Sequence, residues 1–205
     1  MSEKAANKLP PEFYASDSLT LARELLGKKL VSRSSQGITS GYIVETEAYM
    51  GAIDAGAHTY QMRRTKRTEV LYSHGGLAYV YFIYGMYYCM NVSANHPEIP
   101  EAVLIRALEP ADGIELMKLR RGTDKLTELC SGPGKLCIAL GITREHNGID
   151  LCGNTLYIEE SHNDLDFGVI SQSPRVNIDY AGEAKDYPWR FYYESNPHVS
   201  KVKVK

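Results

Sequence analysis

From Gly41 to Gly51 the chain reads GYIVETEAYMG, and in an extended strand its side chains alternate between two faces. Tyr42, Val44, Thr46 and Ala48 form one face, suited to a core. Ile43, Glu45, Glu47 and Tyr49 form the other, where two carboxylates stand roughly 7 Å apart at strand rise, beside an aromatic ring. Upstream, Leu19, Leu21, Ala22 and Leu25 recur at helical spacing behind Ser16, Asp17 or Ser18 as a cap, and Gly27 stops the helix. Residues 29–33 predict a strand, Ser34 to Gly37 a turn, and 39–49 its longer partner. Residues 50–76 show no clear period, and a loop of that length inside a domain is functional or mobile.

The segment LAYVYFIYGMYYCMNVS then predicts a strand, a tight turn at Tyr84 and Gly85, and a returning strand dense in tyrosine. Residues 102–108 form an apolar strand interrupted by Arg106. A helix over 112–121 ends at Gly122, and 125–129 and 134–140 give further helical turns. Short strands are expected at 155–159, 169–171 and 190–193, and the terminal KVKVK is expected to fray. Strands outnumber helices and hairpin-length turns join several of them. The fold class is therefore α+β: a single domain over residues 1–205 with a mixed, largely antiparallel sheet, a protruding β-hairpin and surrounding helices, flexible over about 1–12 and 200–205. No βαβ alternation supports a Rossmann fold.

The 205 residues, 43% of them hydrophobic, suit one core, and no linker or internal repeat divides them. No signal-peptide run or apolar span long enough for a bilayer is visible, so a soluble intracellular protein is expected. A net charge of -2 argues against indiscriminate coating of nucleic acid but allows a local basic patch, which Arg63, Arg64, Lys66 and Arg67 supply. A second cluster, Lys118, Arg120, Arg121 and Lys125, ends a helix. Cys89, Cys130, Cys137 and Cys152 form no C-x-x-C pair, which points to reduced thiols rather than a zinc site or disulfide framework.

Candidate chemistry centres on Glu47. A lone strand carboxylate is most often a solvated surface group, but its same-face company and the nearby rings suit acid/base work. Glu45 could complete a glycosidase-like pair or make a structural hydrogen bond. Most of the tyrosines suit cross-strand packing, whereas an aromatic at a turn, Tyr84, points outward and buries only against a partner. Side chains that wedge between base pairs have that placement. Neither H-E-x-x-H nor the deaminase pattern is present, so no metal is expected at His58. GPGKL lacks the spacing of a phosphate-binding loop, although glycines beside Lys135 at a helix start can hold a phosphate.

Together VETEAYMG, GAH, YVYFIYGMYYCMNVS, VLIRALEP and ELCSGPGKLCIAL resemble, in order and over residues 21–191, the alkyladenine (3-methyladenine) DNA glycosylase family. The resemblance implies a single-domain enzyme, a monomer without cofactor, that flips a damaged purine from double-stranded DNA and hydrolyses its N-glycosidic bond. Glu47 then matches the general base, with Arg106 and the main-chain carbonyl of Val176 holding the water. Tyr49, His58 and Tyr81 match the rings that clasp the base, Asn91 the side chain that disfavours guanine's amino group, and Tyr84 the wedge. Arg63, Thr65, Gly132 and Lys135 match segments that meet the DNA backbone. Thr68 and Leu71 depart from the expected Asn and Met. No lysine in these motifs suits a Schiff base, so hydrolysis without strand cleavage is expected.

That pocket carries a geometric requirement. A two-residue turn at Tyr84 and Gly85 would place Asn91 on the opposite face from Tyr81, so a three-residue turn or a bulge is expected. Two other functions share the carboxylates and rings: a nucleoside or small-glycoside hydrolase, and a non-catalytic DNA damage binder.

Overall fold

A computed structural model describes residues 7–161 and 166–201. Its strands are β1 (Lys29–Ser34), β2 (Gly37–Tyr49), β3 (Ala78–Ile83), β4 (Tyr87–Ala94), β5 (Glu101–Pro110), β6 (Leu156–Glu159), β7 (Ile170–Ser173) and β8 (Arg190–Tyr193). The helices are α1 (Ser18–Glu24), α2 (Ile114–Arg121), α3 (Leu126–Leu129) and α4 (Pro133–Leu140). The sheet runs β3-β4-β5-β2-β1-β6, and β8 adds to β2 and carries β7. Every ladder among the described residues is antiparallel. The α+β expectation holds, and residues 202–205 of the terminal KVKVK lie outside the described residues.

The length of β2 organises the sheet. One edge pairs with β5 from Gly41 to Tyr49, while the other pairs first with β1 and then, over Glu45 to Glu47, with β8. A strand from near the C-terminus is thereby laid against the two carboxylates. Register shifts flank Glu45 in the β2–β5 ladder. They interrupt the alternation, and Ile43, expected beside the glutamates, lies instead in the main core with Val44 and Ala48.

Asp17 caps α1, its carboxylate accepting from the Leu19 and Thr20 N–H groups at 3.0 Å. The Thr46 hydroxyl fastens β2 to this helix by donating to the Ala22 carbonyl at 2.8 Å. Leu21, Ala22 and Leu25 complete the core beneath β2, and Leu136, Cys137 and Leu140 of α4 join it with Met90 of β4. Residues 50–76 are less featureless than their composition predicts. Single 3-10 turns occupy Gly51–Ile53, Tyr60–Met62 and Glu69–Tyr72.

Candidate active site

Both glutamates of β2 are fully buried, and their surroundings differ. Glu45 Oε1 accepts from Arg106 Nε at 2.9 Å, Arg190 Nε at 2.6 Å and the Ser200 hydroxyl at 2.8 Å, while Oε2 accepts from the Ser200 N–H at 2.7 Å. Burial alone would raise this carboxyl, but the Arg106 and Arg190 guanidiniums overcome it and hold it below the usual range. Three of these donors converge on Oε1 and one meets Oε2, and the fully buried side chain presents neither oxygen to a reactant. Of the two readings of Glu45, the structural hydrogen bond prevails over the glycosidase-like pair.

Glu47 is held more openly. Oε1 accepts from the Val176 N–H at 2.7 Å and lies 3.2 Å from Arg106 Nη1, and Oε2 accepts from the Tyr49 hydroxyl at 2.9 Å. Glu47, Arg106 and Val176, 129 residues apart at the extremes, meet because β5 and the segment before β8 flank β2. Burial alone would lower the Arg106 guanidinium, but Glu47 and Glu45 together raise it.

The hairpin delivers the rings. Ile83 pairs with Tyr87, leaving a three-residue loop, Tyr84-Gly85-Met86, and Tyr81 faces Cys89 while Tyr79 faces Asn91. The expected shift is present: Asn91 shares a face with Tyr81, and both line a small inner cavity with Tyr49, His58 and Leu71. Asn91 Nδ2 donates to the Tyr79 carbonyl at 3.2 Å. His58 stands edge-on to Tyr81, ring centroids 4.7 Å apart. Arg67 approaches His58 Nε2 at 3.4 Å, and a guanidinium can only donate. Nδ1 therefore carries the proton and donates to the Tyr79 hydroxyl at 2.9 Å. Burial, then the Arg67 and Arg63 charges, lower His58 to about 4, so it is neutral near pH 7.

Outside the inner cavity lies a larger one of about 480 Å³, lined by Glu47, Tyr49, His58, Tyr81, Tyr84, Arg106 and Val176 among others. Glu47 faces this space rather than turning away. Tyr84 stands at its rim, 71% exposed, with φ of 55° ahead of Gly85 at 67°. Positive φ at both positions matches a type I′ turn, which an aromatic residue rarely occupies.

A further cavity of about 710 Å³ joins His58 to Arg63, Thr65, Arg67 and Thr68. Thr68, one of the two departures, orders this loop: its hydroxyl oxygen accepts from the Thr65 N–H at 2.9 Å. Arg64 is tied to Glu69 and Glu98. Gly132 caps α4, whose Pro133 and Gly134 line the 480 Å³ cavity. Lys135 lies 3.4 Å from the Ser131 hydroxyl and lines a separate cavity with Lys201. In the second basic cluster, Arg120 and Arg121 bind the carbonyls of Ala139 and Leu129, and Lys118 and Lys125 pair with Glu115 and Glu128. It is a set of structural ties.

Four residues absent from the expected set complete the site. Arg190 and Ser200 hold Glu45. Arg175 grips Asp54 through both its Nη atoms, one contact being 2.7 Å, and its guanidinium stacks 4.6 Å from the Tyr49 ring centroid. A Cβ at Gly56 would lie 3.0 Å from that guanidinium, so a side chain there would press on the Arg175–Asp54 pair. Arg190 carries the one local signal, a charge opening the apolar run RFYY as Arg106 interrupts VLIRAL. The others announce themselves only in three dimensions.

Comparison with known proteins fits this geometry. The model of the methylpurine-DNA glycosylase family (MPG) matches residues 12–197. A Bacillus cytotoxicus protein is 53% identical over 203 residues, covering 95% of this chain and 100% of its own. A Clostridium acetobutylicum protein is 54% identical, covering 96% and 98%. A Bacillus mycoides protein is 54% identical, covering 94% and 98%. The names of all three contain the words 3-methyladenine DNA glycosylase. The class so defined is that of the DNA N-glycosylases. Within it, the chain belongs to the methylpurine-DNA glycosylase family. No helix among the described residues is long and apolar enough to cross a membrane.

Proposed function

We propose that the enzyme swings an alkylated or deaminated purine, of the 3-methyladenine, 7-methylguanine, hypoxanthine and etheno-adenine class, out of duplex DNA and hydrolyses its N-glycosidic bond for base excision repair. Glu47 takes a proton from a water held between its carboxylate, Arg106 and the Val176 carbonyl. The water oxygen bonds to the sugar C1′ as the bond to the purine nitrogen breaks, and its electron pair leaves with the base. Alkylated, positively charged purines are good leaving groups, so for them one general base and an aromatic clasp suffice, whereas the neutral hypoxanthine and etheno-adenine take up a proton from solvent as they leave. Flipping costs a few kcal/mol, least for a damaged or mispaired base, and stacking on Tyr49, His58 and Tyr81 returns about 1–3 kcal/mol. Tyr84 fills the vacated stack, Asn91 disfavours guanine, and Arg63, Thr65, Gly132 and Lys135 meet the backbone.

The observation that carries this proposal is Glu47: a buried carboxylate, fixed by Tyr49, Arg106 and Val176, facing a ring-lined cavity beside an exposed tyrosine. Lysine is absent from that cavity's described lining, which favours hydrolysis over Schiff-base strand cleavage. The test compares base release from duplexes carrying each lesion with release from the free nucleosides. Release from duplex alone, with the sugar–phosphate strand intact, is expected. Equal turnover of nucleosides would favour a nucleoside hydrolase, and tight lesion binding without release a damage-binding protein.

A further inference from the structure

Among the described residues, His58 and Tyr180 are the two side chains that line all three cavities around the proposed base pocket. Tyr180 is 71% exposed, and its hydroxyl donates to the Gly56 carbonyl at 3.2 Å, two residues before His58. Five residues earlier, Arg175 grips Asp54. The segment from Arg175 to Tyr180 is thus tied twice to the loop leading into His58. The Arg175 tie is a fully buried ion pair and is expensive to break. The Tyr180 tie is one part-buried, uncharged hydrogen bond, worth far less than the ion pair.

The inner cavity under this segment holds about 40 Å³. That is far below the ~300 Å³ at which ligand pockets begin. A purine held in the adjoining 480 Å³ cavity therefore reaches Asn91, which lines the inner one, only if a lining group moves. His58 is held by Tyr79 and by its packing on Tyr81, which leaves the singly tethered ring as the part free to swing.

We propose that Tyr180 is the movable bar of the base pocket: its bond to Gly56 narrows the inner cavity in the free enzyme, and once released its ring packs against the extruded nucleotide. The inference deepens, and rests on, the base pocket proposed above. It makes Tyr180 a substrate-contacting residue with two separable parts, a latch in the hydroxyl and a wall in the ring.

Steady-state release of 3-methyladenine from a dimethyl sulfate-treated duplex, measured for Y180F and Y180A, separates them. Y180F keeps the wall and loses the latch. The open fraction rises, so KM falls two- to tenfold, about the worth of one hydrogen bond, with kcat within twofold. Y180A also loses the wall, and its KM exceeds that of Y180F at least fivefold. An unchanged or raised KM in Y180F would overturn the latch, and KM values for the two variants within fivefold of each other would overturn the wall. If Glu47→Gln retained base release, the catalytic assignment would fail while these KM shifts stayed measurable.

Discussion

Arg106 bridges two carboxylates of one strand, its Nε 2.9 Å from Glu45 Oε1 and its Nη1 3.2 Å from Glu47 Oε1. The position of Glu47 thus depends through Arg106 on Glu45, which lines none of the three cavities around the base pocket. Glu45→Ala would leave Arg106, Arg190 and the Ser200 donors without their acceptor, and removing one partner of a buried pair costs about 3–5 kcal/mol. Urea unfolding should show a loss of that size. Unchanged stability would mean that the cluster rearranges freely.

His58 gives a pH dependence of known sign. Burial, then Arg67 and Arg63, lower it to about 4, against about 6.5 in the unfolded chain. As pH falls from 6.5 to 4 the unfolded state gains a proton that the native state does not, so this contribution to stability is complete above 6.5 and is lost on acidification. Discounted for partial exposure, it amounts to roughly 1–2 kcal/mol across the window. Stability measured against pH should be flatter over that range in His58→Gln. An unaltered slope would mean that His58 is charged in the folded protein.

Tyr84 sets local stability against function. A non-glycine residue at φ of 55° carries a strain of about 1–2 kcal/mol. Tyr84→Gly should therefore melt no lower than the parent, with a gain of roughly 0–1 kcal/mol after glycine's entropy cost. The same variant should lose at least tenfold in base release from duplex. A drop in melting temperature would instead assign Tyr84 to packing.

Arg63 and Arg64 are neighbours with different expected behaviour. Arg63 opens onto the cavity beside His58, whereas Arg64 is engaged by Glu69 and Glu98. Arg63→Ala should reduce the slope of log affinity against log salt by about 1, the signature of one lost phosphate contact. Arg64→Ala should leave the slope nearly unchanged. Equal slopes for all three proteins would remove the loop from the interface.

Local chemistry made much of this legible in the sequence. Period-two alternation located β2, the strand at residues 190–193 coincides with β8, and the three-residue hairpin loop followed from the pocket that the family resemblance implies, with Asn91 beside Tyr81. Ile43 was misplaced because register shifts beside Glu45 break the alternation, and nothing in GYIVETEAY marks them. Arg175, Asp54, Ser200 and Tyr180 were hidden for a different reason. Each acts through a partner more than a hundred residues away, joined only because β8 shares an edge of β2 with β1. An arginine inside an apolar strand is readable, as Arg106 was. Its acceptor is not.

The most direct test is the single-turnover rate of 3-methyladenine release by Glu47→Gln from a methylated duplex, with lesion binding measured in parallel. Loss of a general base predicts a rate about 10²–10⁴-fold below the parent, with lesion affinity retained in a folded protein. Release within tenfold of the parent rate would contradict the assignment of Glu47 as the group that activates water.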